Sequence, residues 1–390
     1  MVGPRLTNRP GHDLNAEIVS PFSTTGGPCP DGGLACCFVR RILVLSAVAA
    51  VAASTLLAGC HSKSTDPQKR PASQAVVIVS GGDATSPFTT PDQACSTGLA
   101  AGNTDSAIRE YLLKQGYAVY TSPAIAGRGQ VVDQTGFGPF GICPVTLPET
   151  MTVNSTGSID TAGEHLARFL NYLHTEKGVT DIDFVAHSMG GLYSSAAIRV
   201  LTSTSSPLHI RSLTTIGTPW QGSYLSDYAN DTIPLTDCLG DTFCENAMKA
   251  MKDEVLRLMA GSGREVNQAF LMGKNGWNEF QAGVLDKIPV VLIGGKKFTK
   301  PGQVNPAVWP NDGLVALQSA LAKDISDPVL PHRRCYTFDD THSIFVSNAA
   351  GLDWKTALTW DPQVLDVLHK AIEDAPKALD GANREGCAAN

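Results

Sequence analysis

The chain has no positive charge to spare. Lys and Arg number 30 against 37 Asp and Glu in 390 residues, a formal net charge of −7, and no basic tract rises above that background. This excludes nucleic acid as a partner, since such binding needs a cationic footprint. Charged residues of either sign make up only 17% of the sequence against 43% hydrophobic, the balance of a globular chain. The uncharged apolar run Ile42–Ala58 has 17 residues, short of the roughly 20 that a bilayer crossing takes. No Cys-x-x-Cys and no His/Cys cluster with zinc spacing occurs, so no metal held through sulfur is expected.

What is present begins with export. Arg40 and Arg41 precede the apolar run, and Leu57-Ala58-Gly59-Cys60 closes it. A basic start, an apolar middle and small residues before a cleavage point make a signal peptide. The closing tetrad resembles the lipobox of bacterial lipoproteins. That resemblance implies that the chain is cut before Cys60, that the Cys60 thiol is diacylated, and that the protein is held to the outer face of the bacterial cell membrane or secreted after cleavage. Residues 1–59 then form an N-terminal extension and lipoprotein signal peptide, and the polar residues 60–74 a flexible tether. Residues 1–39 are rich in Pro and Gly and make a poor leader, so translation is expected to begin near Val39.

Six cysteines follow Cys60: Cys95, Cys143, Cys238, Cys244, Cys335 and Cys387. An even count in an exported chain points to disulfides, and six cysteines allow 15 pairings. Proximity suggests Cys238–Cys244 within one loop and Cys335–Cys387 at the tail, leaving Cys95–Cys143.

Residues 75–390 read as one domain. Ala75–Ser80, Gly116–Thr121, Asp181–His187, Ile210–Ile216, Pro289–Gly294 and a segment within Val329–Phe338 are apolar, β-branched runs of strand length. Helical periodicity lies between them at Thr104–Lys114, Ile159–Glu176 and Leu192–Val200, and after the last at Pro362–Ala375. Strands alternating with helices predict a mostly parallel sheet flanked by helices, an α/β fold. Thr104 or Asp105 is the expected cap of the first helix. The alternation stops over about 221–285, predicted to be a helical cap or lid insertion. There Ala247, Met248, Met251, Val255, Leu258 and Met259 share one helix face. Methionine suits a surface that repacks around varied acyl chains, and ordinary core packing explains the same stripe equally well.

The centre of the sequence is Asp181–Gly191. A buried strand runs straight into Ala186-His187-Ser188-Met189-Gly190-Gly191 and then into a helix. Serine on a strained strand-to-helix turn, with near-side-chain-free residues two positions away on either side, is a nucleophile elbow. The hydroxyl of Ser188 is exposed there, and the N-terminus of the following helix faces any oxyanion formed. A serine hydroxyl needs a base and the base needs an orienting carboxylate. In the elbow fold these follow in the order Ser, acid, His. Ser188, Asp312 and His342 satisfy that order, with Asp339 and Asp340 as rival acids. His187 occupies the variable elbow position and is expected to point aside. His165, His174, His209, His332 and His369 fit structural positions.

Four segments together, Ala186–Gly191, Gly217-Thr218-Pro219-Trp220-Gln221-Gly222-Ser223, Asn311-Asp312-Gly313-Leu314-Val315 and Thr341-His342-Ser343, resemble the secreted bacterial lipases of the α/β-hydrolase fold, actinobacterial ones especially. The resemblance covers roughly residues 75–375. It implies a serine carboxylester hydrolase that cleaves acyl esters, acylglycerols above all, through an acyl-enzyme. It implies an oxyanion hole from the backbone of Gly82 and Met189, and no cofactor. Some relatives bind calcium through an Asp two residues after the histidine; that position here is Ile344, and no metal is expected. An acyltransferase or phospholipase would use the same triad, and a non-enzymatic surface-binding lipoprotein would need none of it.

Overall fold

The computed structural model describes residues 70–95, 104–133, 140–258, 261–379 and 386–387. Contacts divide the chain into Met1–Lys63 and Ser64–Asn390, and every described residue lies in the second unit. The expected signal peptide and Cys60, the expected lipidation site, lie outside the described residues.

In chain order the elements are β1 (Gln74–Val79), α1 (Ser106–Lys114), β2 (Val119–Thr121), β3 (Ala124–Ile125), β4 (Val153–Asn154), α2 (Ile159–Lys177), β5 (Asp181–His187), α3 (Gly190–Ser203), β6 (His209–Ile216), α4 (Tyr224–Ala229), α5 (Thr242–Leu258), α6 (Ser262–Glu265), α7 (Gln268–Met272), β7 (Val290–Gly295), α8 (Leu317–Ala320), β8 (Arg333–Phe338), α9 (Ile344–Ala349) and α10 (Pro362–Asp374). Six strands form one sheet in the order β2-β1-β5-β6-β7-β8, and every pairing in it is parallel. β3 and β4 make a separate parallel pair.

β1 and β7 read as near-continuous apolar runs because both faces of the sheet are covered, while β6 carries the buried polar residues Ser212, Thr214 and Thr215. Alternation within β1 sorts its side chains onto two cores. Ala75, Val77 and Val79 pack with Leu166 and Leu170 of α2 and Leu192 and Ala196 of α3. Val76 and Ile78 pack with Ile108 and Leu112 of α1 and Leu365 and Leu368 of α10. With helices on both faces of a parallel sheet and a nucleophile elbow after its third strand in sheet order, this is the α/β-hydrolase fold.

Helix boundaries follow local chemistry. Ser158 caps α2 by accepting from the Thr161 N–H, and Gly178 ends it in the left-handed region at φ 68°. Asp361 caps α10 from Gln363 N, with Pro362 at its first position. At α1 the outcome differs from the expectation. Asp105 occupies the cap position and its side chain makes no cap hydrogen bond.

Between β6 and β7 the chain leaves the sheet and builds α4 to α7. This excursion has its own small core, in which Tyr224, Leu225 and Met248 meet Val308 and Trp309. Met248 is fully buried there and Met251 packs against it. Met248 and Met251 are therefore core packing, while Phe243, Asn246, Ala247 and Ala250 of α5 line the cavity. Met259 lies outside the described residues. The disulfides are Cys95–Cys143, Cys238–Cys244 and Cys335–Cys387, the three pairs that proximity suggested. Among the described residues no helix is long and apolar enough to cross a membrane.

Candidate active site

The parallel register places the functional turns side by side. Val79 pairs with Ala186 and His187 with Ile216, so Ser80, Ser188 and Gly217, each next along its chain, emerge at one edge of the sheet.

Ser188 sits at φ 54°, a conformation that costs an L-residue about 1–3 kcal/mol and persists only where surroundings impose it. Its N–H donates to Ile216 O at 2.8 Å, and its carbonyl accepts from Thr218 Oγ1 at 2.7 Å. Gly190 makes the turn possible. A methyl there would come within 2.3 Å of the Val79 carbonyl oxygen, so the start of α3 can lie against β1 only without a side chain.

Asp312 reaches the site by a long detour after β7. Phe298 and Asn311 exchange backbone hydrogen bonds at 2.9 and 3.0 Å, bringing the excursion back to the strand end. The Asp312 side chain is wholly buried. Its Oδ1 accepts from the N–H groups of Leu314 (3.0 Å) and Val315 (2.8 Å). Its Oδ2 lies 2.7 Å from Nδ1 of His342. The His342 amide also donates to the Asp312 carbonyl at 2.7 Å. A carboxylate at Nδ1 fixes the proton there and leaves Nε2 as the basic nitrogen. That Nε2 is buried and makes no hydrogen bond to the described residues. Ser188 and His342 line the same cavity, and a nucleophile–base contact commonly tightens only when substrate binds.

Gly217 is the floor under this couple. It has φ 59°, and a Cβ there would fall 2.9 Å from Nδ1 of His342 and 3.1 Å from Oδ2 of Asp312. The rival acids are elsewhere. Asp339 is exposed and pairs with Lys297 at 3.6 Å. Asp340 is pushed up to about 8 by burial and by the neighbouring Asp361.

For the oxyanion hole, Gly82 lies against the side chain of Met189. The next amide along, Asp83 N–H, is committed to Ser155 O at 3.2 Å, and no backbone acceptor among the described residues takes the N–H of Gly82 or Met189. Two free amides flanking the nucleophile are what a developing alkoxide requires.

The cavity has a volume of about 990 Å³, at the upper end of the usual range for small-molecule sites. Its polar end carries Ser188, His342 and the Ser80–Gly82 turn. Its apolar wall includes Ala126, Phe243, Ala247, Leu314, Phe345 and Val346. Among the described residues no group of three or more His, Cys, Asp or Glu is arranged to hold a metal ion.

Two residues depart from their sequence-based reading. His187 does not point aside: its ring is buried 4.8 Å from the His342 ring, centroid to centroid, and its Nε2 lies 3.0 Å from the His342 carbonyl oxygen. Asp105, expected at most as a cap, is fully buried at the cavity's polar end. No local signal distinguishes such an aspartate from a cap, because its partners lie far away in sequence. Among the described residues His165 and His174 bond backbone carbonyls, His209 pairs with Asp181 and His369 with Tyr117, while the buried Nδ1 of His332 has no hydrogen-bond partner there.

Residues 145–237 match the family described as "Putative serine esterase (DUF676)". No curated protein matches the chain at a significant level. Among solved structures, Bacillus licheniformis lipase BlEst2 in its propeptide form is 17% identical with a TM-score of 0.42, over 83% of this chain and 54% of that one. This chain thus spans about half the length of that lipase form. The mature form gives 16% and 0.37, over 78% and 94%. The Pyrococcus furiosus esterase Pf2001 gives 14% and 0.38, over 77% and 84%. Scores this low bear on neither substrate nor mechanism. Strand order and elbow geometry give the α/β-hydrolase fold, and the family match, over residues 145–237 alone, is to a "putative serine esterase" family.

Proposed function

We propose that the protein hydrolyses acyl esters, acylglycerols foremost, as a lipid-anchored exported enzyme. Ser188 Oγ attacks the ester carbonyl while His342 Nε2 takes its proton, and the amides of Gly82 and Met189 receive the oxyanion. Asp312 stabilises the imidazolium. His342 returns the proton to the leaving alcohol, then draws one from water, whose attack releases the acid and restores Ser188.

The observation that carries the acyl-ester reading is the lining of the cavity, which joins Ser188 and His342 to the apolar side chains of Ala126, Phe243, Ala247, Leu314, Phe345 and Val346. Burying one methylene contributes about 0.8 kcal/mol, roughly fourfold in kcat/KM when felt in the transition state. A series of p-nitrophenyl esters from acetyl to palmitoyl is therefore expected to rise steeply through the medium chains and level off once the wall is filled. A profile flat or falling from acetyl onward would remove the acylglycerol reading and leave a short-ester hydrolase. Butyric acid released from p-nitrophenyl butyrate in the presence of excess glycerol, without formation of monobutyrin, separates water from an alcohol as the acyl acceptor.

The anchor rests on the Leu57–Cys60 tetrad. In cells fed an alkyne fatty acid the wild-type chain is expected to take up label and Cys60→Ser to take up none. Equal labelling of both would dismiss Cys60 as the site.

A further inference from the structure

We infer that Asp105 and His187 form a second carboxyl–imidazole couple beside the Asp312–His342 pair, and that it positions His342 by holding its main-chain carbonyl. Asp105 is on this reading a positioning residue for the reaction.

The argument starts from a carbonyl oxygen, which can only accept. His187 Nε2 lies 3.0 Å from the His342 carbonyl, so Nε2 carries the proton and Nδ1 presents a lone pair. Facing that lone pair at 3.6 Å is Asp105 Oδ1, a buried atom with no hydrogen-bond partner among the described residues. The other oxygen, Oδ2, accepts from Ser80 Oγ at 2.7 Å, and Ser86 Oγ lies 2.8 Å behind. A carboxylate would repel the lone pair, whereas a carboxylic acid can turn its O–H toward it. The neutral acid completes a chain from Asp105 through His187 to the His342 backbone. His342 is then clamped on both sides, its N–H by the Asp312 carbonyl at 2.7 Å and its C=O by His187. An imidazole that must swing between serine and leaving group gains from a main chain that cannot shift.

Electrostatics agree. Burial raises the Asp105 carboxyl from 3.8 to about 7, the Ser80 hydrogen bond opposing it. Burial, with His342 nearby, holds His187 well below the ordinary histidine value. The titratable groups facing Asp105 are His187, from the end of β5, and His342, from the loop after β8; Arg109, one turn along α1, turns away to Thr89 Oγ1 and the Thr90 carbonyl. Ionisation of Asp105 would remove the donor toward His187 Nδ1, and His342 nearby favours that ionisation.

The inference rests on His342 acting as the base, and p-nitrophenyl butyrate turnover tests it. Asp105→Asn keeps a donor toward His187 and cannot ionise. It is expected to retain kcat within a few-fold at pH 6, and the loss of wild-type kcat as the Asp105 carboxyl ionises near pH 7 should be absent from it. Asp105→Leu has no donor and is expected to lose kcat about 10- to 100-fold with little change in KM. The melting temperature gives a second reading. The folded value lies above the unfolded one, so this carboxyl makes stability fall as pH climbs from about 4 to about 7. That part of the decline should be missing in Asp105→Asn. Superimposable pH profiles of kcat for wild type and Asp105→Asn across pH 5 to 9, with Asp105→Leu as active as either, would overturn the inference. Wild type inert toward every ester would instead overturn the hydrolase reading.

Discussion

Ser188→Ala is expected to lower kcat on a p-nitrophenyl ester by about 10⁶-fold, some 8 kcal/mol of transition-state stabilisation. It is also expected to abolish labelling by a fluorophosphonate. The elbow puts this hydroxyl on the cavity that His342 also lines, next along the chain from Met189, whose N–H no backbone acceptor among the described residues takes. Alanine keeps the Cβ and the backbone, so the strain at φ 54° is unchanged and the variant should melt with the wild type. That matters for interpretation: an inactive protein with wild-type stability isolates the chemistry from the fold. The residual rate over water should remain, because the oxyanion donors and the cavity survive the substitution. Undiminished labelling of Ser188→Ala would place the nucleophile elsewhere and remove the triad.

Much of this architecture is local, and what is local can be read from sequence. The β1 and β7 runs are almost wholly apolar because both sheet faces are covered, and such a run reads as a buried strand without knowledge of its neighbours. The elbow is likewise a short-range object, since Ser188 needs Ala186 and Gly190 within two residues. Asp312 is legible through Asn311 and Gly313: the Asn311 side chain takes the Gly313 N–H at 2.8 Å, shaping the turn that aims the carboxylate.

What sequence hides is set by partners distant along the chain. Asp105 precedes a helix and carries the chemistry of a cap, yet its carboxyl is drawn to Ser80 and His187, 25 and 82 positions away. A capping bond to a solvated helix end is worth about 1 kcal/mol, and a buried carboxyl left without hydrogen bonds costs more, so tertiary partners win. His187 misleads for a related reason. The variable position of an elbow has no local duty, and only the returning loop after β8 supplies the carbonyl it bonds. The α5 methionines show the converse case: a helix face rich in Met fits a pocket or a core equally, and the small core around Trp309 decided it.

Asp312→Asn should cost about 10⁴-fold in kcat while leaving KM and the melting temperature close to wild type. The reasoning is a matter of proton placement. In the wild type Oδ1 accepts two backbone N–H groups, from Leu314 and Val315, and Oδ2 accepts the Nδ1 proton of His342. An asparagine has one acceptor and one donor end. Turning its NH₂ toward Leu314 and Val315 would set donors against donors in a buried site, so the amide oxygen stays there and the NH₂ faces His342. Nδ1 must then accept, which moves the imidazole proton to Nε2, the nitrogen that has to take the serine proton. The ring keeps its position, because the His342 amide still donates to the Asp312 carbonyl at 2.7 Å, and its tautomer is wrong. Substrate binding, governed by the apolar wall, is untouched. A variant with kcat within tenfold of wild type would mean that Asp312 only shapes the loop, and Asp340, already near His342 along the chain, would have to be tested in its place.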